Sequence, residues 1–438
     1  MTRLAALILA LVLVAGCSAA LSPSGDPGAP SITPGAAGID LAAVSLPRLA
    51  ASPGDATAAG KAVNAFGLDL YARLVAADPD ANLVFSPASI GLALAMARAG
   101  ARGATADEMD AVMHDLGSDA SAGWVAALDQ SLNSKTATFG DAAGQDQEVI
   151  LRSVNAPFAQ RGYPLEDAYL AALAERFGAG LRLVDFIGDP EASRGAINGW
   201  VSEQTEERIP ELLARDTVDA DTRLVLVNAI YLKAAWQYAF GEDATAPAPF
   251  TLPDGTATDV DMMRVAAGFP YASGSGWRAI ELPYVGGTLS MLVIVPDDLA
   301  AFEGSLDAAA LNDITGSLAW QEVRLGLPEF GTETQVGLGD VLGALGMPTA
   351  FDAGAADFSG MTVADRLFIG AVVHQANIDV DEKGTEAAAA PAVTMRATGA
   401  PAEPIELTVD RPFIFALRDL DTGAILFLGR ITQPESRS

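Results

Sequence analysis

Leu224-Val225-Leu226-Val227-Asn228-Ala229-Ile230-Tyr231-Leu232-Lys233, followed by Trp236, is the stretch from which the fold is read. Its opening four residues are a short apolar run of the kind that forms a strand. Residues 289–295, 367–373, 405–409, 413–417 and 425–428 read the same way. The first third of the chain differs. Val63, Phe66, Leu70 and Leu74 recur at helical spacing and predict an amphipathic first helix. Asn82-Leu83-Val84-Phe85 is a short extended segment, and Ser86-Pro87 then supplies an N-cap and a first-turn proline. Residues 90–99 are nearly all apolar, which predicts a helix buried on every side. Thr105-Ala106-Asp107-Glu108 reads as a capping box opening another helix. Helices mostly first and strands mostly later predict an α+β fold rather than a doubly wound sheet.

The N-terminus carries a separate signal. Met1-Thr2-Arg3 is a short basic start, and residues 4–16 are an unbroken apolar run. Such a run is too short to span a bilayer as a mature helix but fits a signal-peptide core. It ends in Val14-Ala15-Gly16-Cys17, which resembles a bacterial lipobox, with Cys17 as the lipidated first mature residue. Each buried CH₂ of an acyl anchor contributes about 0.8 kcal/mol, so several chains hold firmly. The expected division is a signal peptide at 1–16, a flexible Ala/Pro/Gly/Ser-rich tether at 17–58 and a folded domain at 59–438. An extracellular or cell-envelope location follows, with the membrane touched only through lipid. Cys17 is the single cysteine, so no intramolecular disulfide forms and packing must supply the stability.

Composition narrows the function. The 438 residues carry a formal net charge of −30, which argues against nucleic acid or anionic lipid as a surface ligand. The chain holds two histidines, His114 and His374, too few for a His-rich metal site. H-E-x-x-H, G-x-S-x-G, S-x-x-K and the phosphate-loop motif are absent. His114 reads as a helix-end residue. The expectation is a protein that is not an enzyme and needs neither metal nor cofactor.

From Asn82 onward the chain resembles the serpin family, segment after segment. The similarity is carried by Asn82 through Ile90, by Thr222 through Lys233 with Trp236, and by Leu282-Pro283-Tyr284 with Ser290-Met291. Leu345-Gly346-Met347, Asp357-Phe358-Ser359-Gly360, Asp410-Arg411-Pro412-Phe413 and Phe427-Leu428-Gly429-Arg430 continue it in order. The resemblance implies three β-sheets, about nine helices, an exposed reactive-centre loop and a monomer. It implies that Ser86, Ser89, Asn228 and His374 form a polar cluster under the main sheet where its central strands part. Trp236 is implied at the top of that sheet, where the loop first inserts.

Asp381-Glu382-Lys383-Gly384-Thr385-Glu386-Ala387-Ala388-Ala389-Ala390 is similar to the hinge of an inhibitory serpin. By itself it would read as a short Ala-rich helix stopped by Pro391. The family mechanism asks instead for a strand with two faces. Thr385, Ala387, Ala389, Pro391, Val393, Met395 and Ala397 make one face, apolar except for Thr385. Glu386, Ala388, Ala390, Ala392, Thr394, Arg396 and Thr398 make the other, with every charge. The implied partner is a serine protease, held as a covalent acyl-enzyme while the cleaved loop joins the sheet. Spacing from Glu382 puts the reactive bond at Thr398–Gly399, with Ala397 and Arg396 as alternatives. A small residue there suits elastase-like or subtilisin-like targets; the alternative is a serpin fold without inhibition. Two residues depart from the family pattern. Pro391 cannot donate a ladder hydrogen bond, and Glu329 replaces the usual lysine where Glu382 is expected nearby.

Overall fold

The computed structural model describes residues 29–140, 146–385 and 403–435. In chain order, strands β1 (Ser31–Thr33) and β2 (Asp40–Ala43) precede helix α1 (Pro53–Ala77), strand β3 (Leu83–Phe85) and helix α2 (Pro87–Arg98). Helices α3 (Gly103–Val112) and α4 (Ala122–Asn133) lead to β4 (Ala137–Gly140), β5 (Asp146–Gln160), α5 (Asp167–Phe177), β6 (Leu181–Val184) and α6 (Pro190–Gln204). Strands then dominate, with β7 (Leu224–Ala235), β8 (Ala246–Thr251), β9 (Ala257–Gly274), β10 (Trp277–Pro283) and β11 (Leu289–Pro296). After α7 (Leu299–Glu303) and α8 (Ala308–Ser317) come β12 (Ala319–Pro328), β13 (Phe330–Gly337) and α9 (Gly339–Leu345). β14 (Ala371–Val380), β15 (Gly384–Thr385), β16 (Ile405–Thr408), β17 (Phe413–Asp419) and β18 (Ile425–Ile431) close the chain. The expected α+β order holds.

The main sheet runs β1-β2-β6-β5-β7-β15-β14-β13, and β7 also pairs directly with β14. A second network runs β16-β12-β9-β10-β11-β17-β18-β3, with β8 on β9. Its long strand β9 pairs with β8 and β12 over most of its length, then with β10 over its last four residues. The described strands thus form two nine-stranded networks, the second continuous through β9, where the sequence resemblance implied three sheets.

Helix α2 lies inside the molecule, against β5, β7 and β18. All twelve of its residues are buried, as its apolar run predicts. It starts where it does because Ser86 Oγ accepts the Ser89 N–H at 3.2 Å and Pro87 needs no partner. Val63, Phe66, Leu70 and Leu74 form the buried stripe of α1.

Three sequence expectations give way to tertiary contacts. Helix α3 opens at Gly103, not Thr105, and no side chain caps it. Thr105 Oγ1 instead accepts the Asp357 N–H at 3.0 Å, and the Glu108 carboxylate accepts the Thr349 N–H and hydroxyl at 2.9 and 2.7 Å. The capping-box residues are used to tie α3 to distant chain. The run 367–373 becomes a strand only from Ala371, although Leu367 and Ile369 are buried.

The third correction concerns residues 17–58, expected to be a flexible tether. From Ser31 they are built into the domain. β2 pairs antiparallel with the edge strand β6, Leu41 opposite Arg182, and β1 pairs with β2. Arg161 holds Asp40 at 2.8 Å and donates to Gly38 O at 2.7 Å. Arg48 pairs with Asp129 at 2.5 Å, and Ser52 with Asp55 caps α1 at Pro53. Small and polar composition conceals this segment because its binding comes from backbone pairing and two ion pairs, Arg161 with its Asp40 and its Arg48 with Asp129. Removing residues 29–43 should expose the β6 edge and destabilise the protein by about 1–3 kcal/mol, from lost ladder bonds and the Asp40 pair. Thermal unfolding of the shortened protein checks this; an unchanged melting temperature would make the segment an ornament.

Candidate functional site

β7 and β14 run parallel, from Ala371 opposite Val225 to Ala376 opposite Ile230. Beyond that they separate. Among the described residues, 231–233 of β7 pair with β5 and 377–379 of β14 with β13, and no pairing joins the two stretches. The two-residue β15 closes the top of this slot, with Thr385 opposite both Val380 and Ala234 and Gly384 opposite Ala235. The sheet is joined below and above this stretch. Gln375 Oε1 and Asn377 Oδ1, on β14, are buried without a hydrogen-bond partner.

The hinge residues reach this place through a tight turn. Asp381 Oδ1 accepts the N–H groups of Lys383 at 2.8 Å and Gly384 at 3.0 Å, and Asp381 N–H donates to Gly384 O. Trp236 N–H donates to Lys383 O at 2.8 Å, and Phe240 N–H to Glu382 O at 2.9 Å. Gly384 lies so close to β7 that a Cβ would stand 2.1 Å from Ala234 O. No larger residue fits there. Trp236 stacks on Tyr284 at 4.5 Å and 12°, and its Nε1 donates to Asp381 O at 3.0 Å. The Tyr284 hydroxyl lies 2.7 Å from Thr385 Oγ1, and both side chains are buried. Burial raises the Tyr284 phenol, so it stays protonated and available as a donor.

The lower joint of the slot is polar and fully buried. Ser86, Ser89, Asn228 and His374 all have no exposed surface. The structure brings these four together from α2, β7 and β14. His374 Nε2 accepts the Ser86 N–H at 3.1 Å, and His374 Nδ1 is hydrogen-bonded to Asn228 Oδ1. Those roles define a neutral tautomer with its proton on Nδ1. Asn228 Nδ2 donates to Ser89 Oγ at 2.6 Å. Two members escaped the sequence reading: Asn155 and Ser153 of β5, 2.9 and 3.2 Å from Ser89 Oγ. Their spacing of two places them on one face of a strand, which was the available signal. Burial pushes the His374 imidazole down to about 3.

Glu382, Gly384 and Thr385 of the hinge are thus placed. Glu386, Ala387, Ala388, Ala389, Ala390, Pro391, Arg396, Ala397, Thr398 and Gly399 lie outside the described residues, as does Cys17. Thr385 is buried, in keeping with the face assigned to it. His114 pairs with Asp69 of α1 at 2.7 Å, remote from the slot. Among the described residues no group of three or more His, Cys, Asp or Glu side chains could hold a metal ion.

Since His374 folds with its proton affinity below the free value of 6.5, its contribution to stability is complete above that pH. It is lost progressively as pH falls towards 3. His374→Leu should destabilise the protein by about 1–3 kcal/mol at neutral pH, by orphaning the Ser86 N–H and Asn228. It should also flatten the fall of melting temperature between pH 6 and 4, which a pH series of thermal melts reads.

The family model described as Serpin (serine protease inhibitor) matches residues 61–434. An uncharacterized serpin-like protein of Thermococcus kodakarensis is 41% identical over 378 residues, covering 85% of each chain. A leukocyte elastase inhibitor of Bos taurus is 41% identical over 381 residues, covering 84% of this chain and 97% of that one. A crystal structure of maspin superposes with a TM-score of 0.78 at 26% identity, covering 87% of this chain and all of the other.

Proposed function

The chain belongs to the serpin family, and from that premise we propose that it is an inhibitor of serine proteases, acting by suicide acyl-enzyme trapping. The observation that carries the reading is the slot between β7 and β14: among the described residues no strand pairs between 231–233 and 377–379, and the hinge residues Gly384 and Thr385 sit at its top. An added strand there finds backbone partners on both sides. The protease serine attacks the reactive bond and forms an ester. The cleaved loop then zips downward from Thr385, and the bound protease is carried with it before water can hydrolyse the ester. Burial of Thr385 and the small residues after it support this path.

The reactive bond is assigned to Thr398–Gly399, with Ala397 and Arg396 as alternatives. A threonine there suits shallow primary pockets, as in elastase-like or subtilisin-like proteases. The leukocyte elastase inhibitor among the relatives supports the same class. A serpin fold without inhibition is the second reading, favoured by Pro391, which withholds one ladder hydrogen bond from an inserted strand. Lipidation at Cys17, an extracellular or cell-envelope location and a monomeric state complete the proposal. They rest on the apolar run and small residues preceding that cysteine and on the family resemblance.

Incubation with an elastase-like or subtilisin-like protease should give a complex that survives boiling in detergent. Its released fragment should begin at Gly399 by mass spectrometry. Loop cleavage should raise the melting temperature sharply in the wild type but not in Thr385→Arg, where the inserting charge meets the buried face. Equal melting temperatures for intact and cleaved wild type would remove the insertion mechanism.

The lipid anchor has its own check. Cys17→Ser should move the protein from the membrane fraction to the soluble fraction, or block its maturation. Retention of the variant in membranes would dismiss the anchor and leave the inhibitor reading untouched.

A further inference from the structure

The last turn of α1, the short helix α7 and the end of β18 border a cavity of about 800 Å³ that shares no residue with the slot between β7 and β14. Its shape follows from how the chain closes there. Arg430 is buried, and its guanidinium donates to Asp78 O at 2.6 Å and Ala81 O at 3.1 Å, holding the chain where it leaves α1. The same guanidinium lies 3.1 Å from the Glu303 carboxylate, which also accepts the Tyr71 hydroxyl at 2.6 Å. These bonds fix the buried wall. Helix α7 has five residues, none of them buried, and is too short to roof the last turn of α1. Residues of the turn 251–255 and Arg411-Pro412 complete the border, joined where Thr251 N–H donates to Asp410 O at 2.8 Å.

Val75, Pro79, Leu252, Pro296, Leu299 and Pro412 give the cavity an apolar lining. A mostly apolar concavity of this volume with a few polar groups has the dimensions of a small-molecule site. Its charges decide which molecule fits. Arg430 is spent on Glu303, and Arg411 on Asp410 at 2.9 Å. Asp298 is spent on capping α7, where it accepts the Ala301 N–H at 3.0 Å. Asp80 and Asp297 line the exposed border, and among the described residues no cation pairs with either carboxylate. An anionic ligand would meet two uncompensated carboxylates and no available cation. A cationic one complements them.

We propose that this cavity binds a small organic cation, an aliphatic or aromatic body carrying one ammonium group. The body lies against the apolar lining, and the ammonium is directed to the border that holds Asp80 and Asp297. Such a ligand gains from burying its hydrocarbon and from the carboxylates together, whereas a neutral analogue gains only from the first. This activity is separate from protease inhibition and stands whether or not the loop inserts.

The test is calorimetric titration of the whole purified protein with 4-phenylbutylamine, and with 4-phenylbutanol and 4-phenylbutyrate as its neutral and anionic counterparts. The amine should bind most tightly and the carboxylate least. Asp80→Asn and Asp297→Asn, both on the exposed border, should each weaken the amine about two- to fivefold, the range of an exposed ion pair, and leave the alcohol unchanged. Added salt should narrow the amine's advantage over the alcohol. Ala76→Trp, at an exposed lining position of α1, should abolish binding of the amine by filling the cavity, with an unchanged melting temperature as proof of folding. Equal affinity for the three probes, unaltered by the two asparagine variants, would overturn the proposal. So would amine binding that survives Ala76→Trp, or no binding of the amine at all.

Discussion

The parting of β7 from β14 is the constraint on which the rest of the described structure depends. β7 and β14 are parallel neighbours for six residue pairs and then part, although each continues as a good strand on its other side. Backbone groups facing a gap forgo ladder hydrogen bonds worth about 0.5–1.5 kcal/mol each in net terms. A strand placed between them would satisfy both edges at once. On the proposed loop-insertion mechanism, the gain in pairing would drive the conformational change of the sheet.

What holds it there is a joint at each end. Below, His374, Asn228, Ser86 and Ser89 are buried without exposure and hydrogen-bonded across β7, β14 and the first turn of α2. In that dry setting a satisfied polar network fixes one geometry, because every alternative leaves an unpaired group. Above, β15 plugs the gap, and the Trp236–Tyr284 stack with the Tyr284–Thr385 hydrogen bond covers it. The upper joint is shorter, two residues long, and Lys383 beside it pairs with Glu242.

The N-terminal segment adds a constraint of another kind. β1 and β2 cover the β6 edge, so the main sheet presents no long bare strand on that side. Arg161, just past β5, holds Asp40 of β2, and Arg48 of the segment pairs with Asp129 of α4. On the proposed loop-insertion mechanism, a sheet that widens in its middle benefits from an edge held in place.

The residues alone determined the elements whose pattern is local. The 3.6-residue spacing of Val63, Phe66, Leu70 and Leu74, the Ser86-Pro87 helix start and the apolar runs of the later strands each follow from side-chain period and backbone chemistry. The ordered resemblance also brought Ser86, Ser89, Asn228, His374 and Trp236 forward before any coordinates. Tertiary structure alone decided the rest. Thr105 and Glu108 spell a capping box, yet Asp357 and Thr349 claim them; residues before Pro53 spell a linker, yet β6 pairs with them. Asn155 and Ser153 joined the polar cluster only because β5 lies beside β7. Periodicity reports which way a side chain faces, but a hydrogen bond is fixed by what the fold places opposite it.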